Sequence, residues 1–334
     1  MACSCGPEAV VKTTSIDIGT NTVLLLVAEI ADDGSITPLA YEQRTPRLGK
    51  DVDANKKIGR AAFERVAKVL REFKRISEEL GSSHIVAVGT SALRDAANNV
   101  EFVEFIEGAT GIRIEVLSGE EEAALIYRGA VSGLSARQVG SSTYAGLPDG
   151  RVAVVDIGGG STEITTGHSA QPEQQLSLNL GSVRLTERYL RHDPPLLSEL
   201  AYATEFTQNA LNHLDDLDLR EATTVGVAGT VTTLAILDQQ LPKFDREKVS
   251  GYILTDHAVE RLYYRLRAMK VEEILDLSEV TVGRADIITA GALILHELMK
   301  KTGTEKLIVS ERGVRYGLAL REWERLKEKG KEQE

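Results

Sequence analysis

The chain alternates short apolar runs with amphipathic stretches, and this alternation predicts an α/β protein. Residues 13–17 and Val23–Ile30 read as buried strands joined by a tight turn. Asp33-Gly34 is a hairpin turn into a third strand near residues 36–41. Ala62, Val66, Val69, Leu70, Phe73, Ile76 and Leu80 recur at helical spacing, and Gly81 follows as a C-cap. A short strand at 84–89, a helix from Thr90 towards Gly108 and a strand at 112–117 follow. A further helix then opens at Ser118 and runs towards Val131. The Ser- and Gly-rich segment 133–150 is a loop. Beyond it the plan repeats: a β-branched run at 152–157, a glycine turn, and a return strand to Thr166. A strand at 174–180 enters a helix at Gly181, which Asp193-Pro194-Pro195 breaks. Helices are expected at 198–214, 255–269, 285–302 and 313–329. Residues 223–233 form strand, glycine turn and helix, and 306–311 a last strand.

A length of 334 residues is enough for two ordinary domains, and 42% hydrophobic with 27% charged residues is a globular composition. A net charge of −11 argues against nonspecific binding to nucleic acid or an anionic membrane. A polyanionic substrate would need a local basic track and metal ions. No run of 18 apolar residues occurs, and residues 1–12 hold no apolar run of the signal-peptide kind. Cys3 and Cys5 are the only cysteines; they cannot staple a core and are a weak metal signal. A cytoplasmic setting is the simplest expectation. The expected organisation is a flexible terminus (1–12), domain I (13–125), domain II (126–310), and a C-terminal helix (311–334) packing back on domain I.

The two glycine turns carry the chemistry. Asp17-Ile-Gly-x-x-Thr and Asp156-Ile-Gly-x-x-Ser stand 139 residues apart, which suggests two related domains whose turns face each other across a cleft. Gly158, Gly159 and Gly160 remove every Cβ from the second turn, so backbone N–H groups can approach an anion. Ser161 and Thr162 add hydroxyl donors. Asp156 and Glu163 place two carboxylates beside that cradle, a usual way to hold Mg²⁺. The bland alternative is a glycine hairpin with a capping Asp. Thr90 and Ser91 followed by Arg94 at a helix start make either a phosphate site or an ordinary N-cap. Gly229-Thr230 is a third candidate phosphate loop. Ser118 with Glu120, Glu121 and Glu122 suits a helix N-terminus, which leaves room for one glutamate to face the cleft as a base. Arg44, Arg47 and Lys50 are either a solvated charge run or the rim of an anion site. Arg265, Arg267 and Lys270 are a basic track or, more simply, a solvated helix face.

Asp-Ile-Gly hairpins, one per domain, resemble the actin-like/sugar-kinase superfamily. Seven segments narrow the resemblance: Ser15-Ile-Asp-Ile-Gly-Thr-Asn-Thr, Gly89-Thr-Ser-Ala-Leu-Arg-Asp-Ala, Leu117-Ser-Gly-Glu-Glu-Glu-Ala, Asp156-Ile-Gly-Gly-Gly-Ser-Thr-Glu, Gly181-Ser-Val-Arg-Leu-Thr, Gly283-Arg-Ala-Asp-Ile-Ile-Thr-Ala-Gly-Ala and Ser310-Glu-Arg-Gly-Val-Arg-Tyr-Gly. In that order they resemble the exopolyphosphatase/guanosine pentaphosphate phosphohydrolase family, in its short two-domain form, over residues 12–320. The resemblance implies two ribonuclease H-like domains, each a mixed sheet flanked by helices, with the active site in the interdomain cleft. It implies hydrolysis of terminal phosphates from inorganic polyphosphate, guanosine pentaphosphate or both, with Mg²⁺ or another divalent ion such as Mn²⁺, and often a homodimer. Carried onto this chain, the family's catalytic glutamate falls on Glu121, with Glu120 and Glu122 as the alternatives in a run of three acids. Asp17, Asp156 and Glu163 fall to the metal. Gly19, Thr20, Asn21, Thr22, Ser91, Arg94, Gly158, Gly159, Gly160, Ser161 and Thr230 fall to the phosphates. Two departures are the threonines at 20 and 22, where serine is common, and Val227-Ala-Gly-Thr, where Ser-Gly-Thr is frequent. The competing readings are an ATP-dependent kinase and a non-catalytic actin-like nucleotide-binding protein. An aromatic content of 5% offers no obvious guanine platform and tilts the choice towards polyphosphate.

Overall fold

The computed structural model describes residues 10–134, 150–217, 219 and 221–331. Cys3, Cys5, most of the predicted 133–150 loop and the last three residues lie outside the described residues. The chain forms two mixed sheets flanked by helices, which is the α/β class expected from the pattern. The first sheet contains β1 (Val11–Ile18), β2 (Val23–Ile30), β3 (Ile36–Arg44), β4 (Ile85–Gly89) and β5 (Ile114–Val116), in the order β3-β2-β1-β4-β5. The second contains β6 (Arg151–Ile157), β7 (Thr162–His168), β8 (Gln171–Leu178), β9 (Thr223–Val227), β10 (Ile253–Thr255) and β11 (Lys306–Val309), in the order β10-β11-β9-β6-β7-β8. Each begins with an antiparallel three-strand meander and continues with parallel strands: β4 lies parallel to β1 as β9 lies parallel to β6. The glycine turns β1–β2 and β6–β7 are therefore equivalent points of two copies of one plan.

Apolar periodicity accounts for the packing. The Arg60–Glu79 helix buries Ala62, Phe63, Val66, Ala67, Leu70 and Phe73 against the first sheet, and Gly81 follows at φ +72°, where a side chain would be strained. The Gly119–Val131 helix lies where the sheets meet. Its Leu125, Ile126 and Tyr127 share one core with Val88 of the first sheet and Val154, Val225 and Ile308 of the second. The expected domain limit at residue 125 falls inside this unbroken helix. The C-terminal helix, Val314–Lys331, buries Tyr316 and Ala319 against Leu26, Ala28 and Ile30 of β2.

One predicted helix is broken. Ser91–Asp95 and Asn99–Thr110 are separate, with Ala96 extended between them. Tertiary bonds compete with the helix there: the Asn98 amide brackets the backbone of Ile58, and the Ala97 N–H donates to Lys56 O at 2.8 Å. No helix among the described residues is long and apolar enough to cross a membrane.

Ion pairs join the halves around the turns. Arg184 of the Ser182–Tyr189 helix pairs with Asp53 and Asp95, Arg188 also pairs with Asp53, and Arg47 forks onto Asp286 at 2.6 and 3.0 Å. Arg44 pairs with Glu42 and Glu72. Two of the three cations suspected of rimming an anion site are thus committed to carboxylates. Arg265, Arg267 and Lys270 stay outside the cleft; Arg267 lies 4.2 Å from the Tyr264 ring centre.

Candidate active site

The two turns close in the same way. Gly19 N–H donates to Thr22 O at 2.9 Å, and Gly158 N–H donates to Ser161 O at 3.0 Å. The Gly158 and Gly159 carbonyls accept the N–H groups of Ser182 and Val183, while Arg184 Nε donates to Gly160 O at 2.7 Å. These bonds anchor the second turn to a helix. The turns then meet: a Cβ on Gly160 would stand 2.5 Å from Ser91 Oγ and 2.9 Å from Thr20 Oγ1, so only glycine permits this approach. Asn21 Nδ2 reaches Gly283 O at 3.1 Å.

Between the turns lies a cleft of about 1040 Å³, open solvent included. Asp17, Gly19, Thr20, Asn21, Thr22, Ser91, Asp156, Gly158, Gly159, Gly160, Ser161 and Thr230 line it. Thr230 Oγ1 donates to Ile157 O at 2.9 Å, so its hydroxyl ties the Ala228–Asp238 helix to β6.

The glutamate register differs from the expectation. Glu121 is exposed and completes a capping box: its Oε2 accepts the Ser118 N–H at 2.8 Å, and its own N–H donates to Ser118 Oγ at 3.1 Å. Those hydrogen bonds hold its carboxyl below the ordinary value. Glu122, one residue on and about 100° round the helix, is only 6% exposed and lines the cleft. Arg94 does not line the cleft. Its Nη1 donates to Glu122 Oε2 at 2.9 Å and to Leu117 O at 3.0 Å, so the expected phosphate clamp holds a carboxylate instead.

Glu122 stands in an acid cluster. Burial pushes its own carboxyl up, against Arg94 and Thr90. Burial and then the charge of Glu122 push Asp17 up to about 7, against Arg315. The same two causes, with Asp17 added, raise Asp156 well above the ordinary range. Burial, Glu122 and Asp156 raise Glu163, which does not line the cleft but faces Asp156 across the β6–β7 pair and accepts from Ser177 Oγ at 2.8 Å. Asp17 Oδ1 is buried and has no hydrogen-bond partner. Crowded carboxylates with an orphaned oxygen suit a hard divalent cation. No group of three or more Asp, Glu, His or Cys side chains converges at ligand spacing among the described residues. The donor set therefore fits a cation that takes few protein oxygens and completes its shell with water and phosphate.

Sequence reasoning passed over two cleft residues, Arg284 and Arg315, although both stand inside quoted motifs. A lone arginine amid the apolar run Val314–Leu320 was the available signal.

Residues 26–326 match the model of the Ppx/GppA phosphatase family. The chain belongs to that family. It is 33% identical over 326 residues to exopolyphosphatase 2 of Mycobacterium tuberculosis, covering 93% of this chain and 98% of the relative. Among solved structures it is similar to an exopolyphosphatase-like protein (30% identity, TM-score 0.87, 95% and 99% coverage). It is similar also to the Aquifex aeolicus member of the family (31% identity, TM-score 0.77, 96% and 99% coverage). Membership makes the protein a phosphatase-family hydrolase and implies a divalent cation.

Proposed function

We propose that the protein is an exopolyphosphatase, which removes terminal phosphates from inorganic polyphosphate. The observation that carries this is Glu122: a buried carboxylate facing a cleft between two phosphate-type turns, with its charge felt by Asp17, Asp156 and Glu163. Glu122, not Glu121, is the residue assigned to the attacking water. Burial raises the Glu122 carboxyl above its ordinary value, which strengthens its carboxylate as a general base. Arg94 holds Oε2 and so fixes the orientation of the group. Glu122 takes the proton of the water as its oxygen bonds to the terminal phosphorus, and the bridging P–O bond breaks in line, releasing orthophosphate and a chain one unit shorter. The turns at 19–22 and 158–161, with Ser91, place backbone and hydroxyl donors on the terminal phosphoryl oxygens. Asp17 and Asp156 would hold Mg²⁺ or Mn²⁺, with Glu163 backing Asp156 from across the strand pair, and the ion when bound would neutralise phosphate oxygens.

Guanosine pentaphosphate is disfavoured by one contact set. Tyr41 is the aromatic residue lining the cleft among the described residues, and Arg315 and Phe244 already engage it at 3.8 and 6.1 Å. The test is orthophosphate release by purified protein with Mg²⁺ from long-chain polyphosphate, from guanosine pentaphosphate, and from ATP with a sugar. Release from polyphosphate is expected to be fastest. Release only from the guanosine compound, or transfer to the sugar, rejects the proposal.

A further inference from the structure

A cluster behind the cleft joins the two halves without lining it. Arg184 of the Ser182–Tyr189 helix is 5% exposed, and its guanidinium donates in three directions. Nε donates to Gly160 O at 2.7 Å, Nη1 to Asp53 and Nη2 to Asp95. Arg188 adds a fork onto Asp53. Arg184, Asp53 and Asp95 line a small pocket behind the turns and are absent from the cleft lining. The two arginines face two aspartates, with Lys56 3.5 Å from Asp53 at the exposed rim, so the cluster needs no bound phosphate for charge balance.

This pairing falls where the parts of the site meet. Asp95 ends the Ser91–Asp95 helix. Ser91, at the other end, is the residue that Gly160 approaches, and its Oγ is buried with no hydrogen-bond partner among the described residues. Arg94, one residue before Asp95, donates to Glu122 Oε2 at 2.9 Å and to Leu117 O at 3.0 Å. One short helix thus carries the hydroxyl that meets the second turn, the cation that holds Glu122 and the carboxylate that holds Arg184. Arg184 in turn holds the Gly160 carbonyl. Stability alone is a weak reason for such a buried pair, because apolar side chains of similar size often do as well. Geometry is a stronger one: a planar guanidinium with three acceptors sets distance and angle together, and a lysine ammonium does not.

We propose that Arg184 and Asp95 are positioning residues, which tie the approach of the second turn to the orientation of Glu122 through the Ser91–Asp95 helix. The base is aligned when the jaws stand together and loses its alignment when Arg184 lets go. The tie rests on the hydrolase reading above for its effect on rate, but it is itself a property of the unliganded protein.

The test uses the full-length protein as wild type, Arg184→Lys and Asp95→Ala, each also combined with Glu122→Gln. Two readouts are taken: hydrogen exchange of the unliganded protein, and orthophosphate release from tripolyphosphate with Mg²⁺. Exchange is expected to quicken about tenfold at two separate segments, the 158–161 turn and the 117–122 helix start, while the Arg60–Glu79 helix keeps its rates. In either variant kcat should fall about 10–100-fold, as for a small misplacement at a reacting centre. In the Glu122→Gln background the same substitutions should cost less than about threefold, because no base remains to be aligned. Equal loss in both backgrounds means that the pair only steadies the fold or the substrate, and it overturns the tie. So does faster exchange at the 158–161 turn alone, or at neither segment. Should Arg184→Lys not fold, Asp95→Ala carries the same test. If wild type releases no orthophosphate, the hydrolase reading fails, and exchange at the two segments still decides the tie.

Discussion

The β1–β2 and β6–β7 hairpins are the same object with different side chains. Both close by the same hydrogen bond, and in register Asp17 stands where Asp156 stands. Across the strand pair the match ends: Asp156 faces Glu163, whereas Asp17 faces Leu24. The turns differ in the opposite sense. The first carries Thr20 and Asn21, which reach into the other half; the second carries Gly159 and Gly160, which leave room for them. One jaw supplies the side chains that close the cleft, and the other supplies the carboxylate pair. A duplicated frame has divided its labour, and Glu122 belongs to neither hairpin although its charge reaches both.

The largest expected effect tests whether both jaws serve that one carboxylate. Glu122→Gln should lower kcat by roughly 10²–10⁴-fold, the usual range for removing a general base. Glu121→Gln should leave kcat within about twofold and stability nearly unchanged, because the glutamine oxygen still accepts the Ser118 N–H. Steady-state kinetics with thermal denaturation of both variants decides it. A larger kinetic loss for Glu121→Gln would return the catalytic role to the exposed residue.

Next comes the fit of the jaws. Gly160→Ala places a methyl 2.5 Å from Ser91 Oγ and must push the turns apart. A misplacement of about 1 Å at a reacting centre can cost about 10²-fold, so a fall in kcat/KM of about 10–100-fold is expected. Unchanged kcat/KM would mean that the turns stand apart during turnover.

The hairpins were legible because their signal is local: an apolar strand, Asp-Ile-Gly and a hydroxyl specify strand, turn and strand wherever they occur. The glutamate register was legible in principle. Ser118 followed three residues later by Glu121 is a capping box, which turns Glu121 back to the helix start and leaves Glu122 for the cleft. The family pattern had instead placed the role on Glu121. The gap between Asp95 and Asn99 was not legible, since it depends on Asn98 meeting Ile58 from a distant loop. Nor was the place of Arg284 and Arg315, 31 residues apart, in one cleft, because only tertiary packing brings them there.

The smallest effect probes the register asymmetry directly, through stability against pH. The Asp17 carboxyl rises from 3.8 to about 7 on folding, so between those values the folded protein binds more protons than the unfolded chain. Stability without metal therefore falls as pH rises from about 4 to about 7, and Asp156 and Glu163, shifted the same way, carry the fall further. Mg²⁺ should raise the thermal midpoint more at pH 8 than at pH 5, because the deprotonated cluster binds the cation and the protonated one does not. Charge removal separates the jaws. In metal-free buffer at pH 8, Asp156→Asn should raise the midpoint more than Asp17→Asn, because Asp156 faces Glu163 across the strand pair whereas Asp17 faces Leu24. An equal rise would mean that the second carboxylate of that jaw adds no repulsion of its own and that burial alone sets the cost.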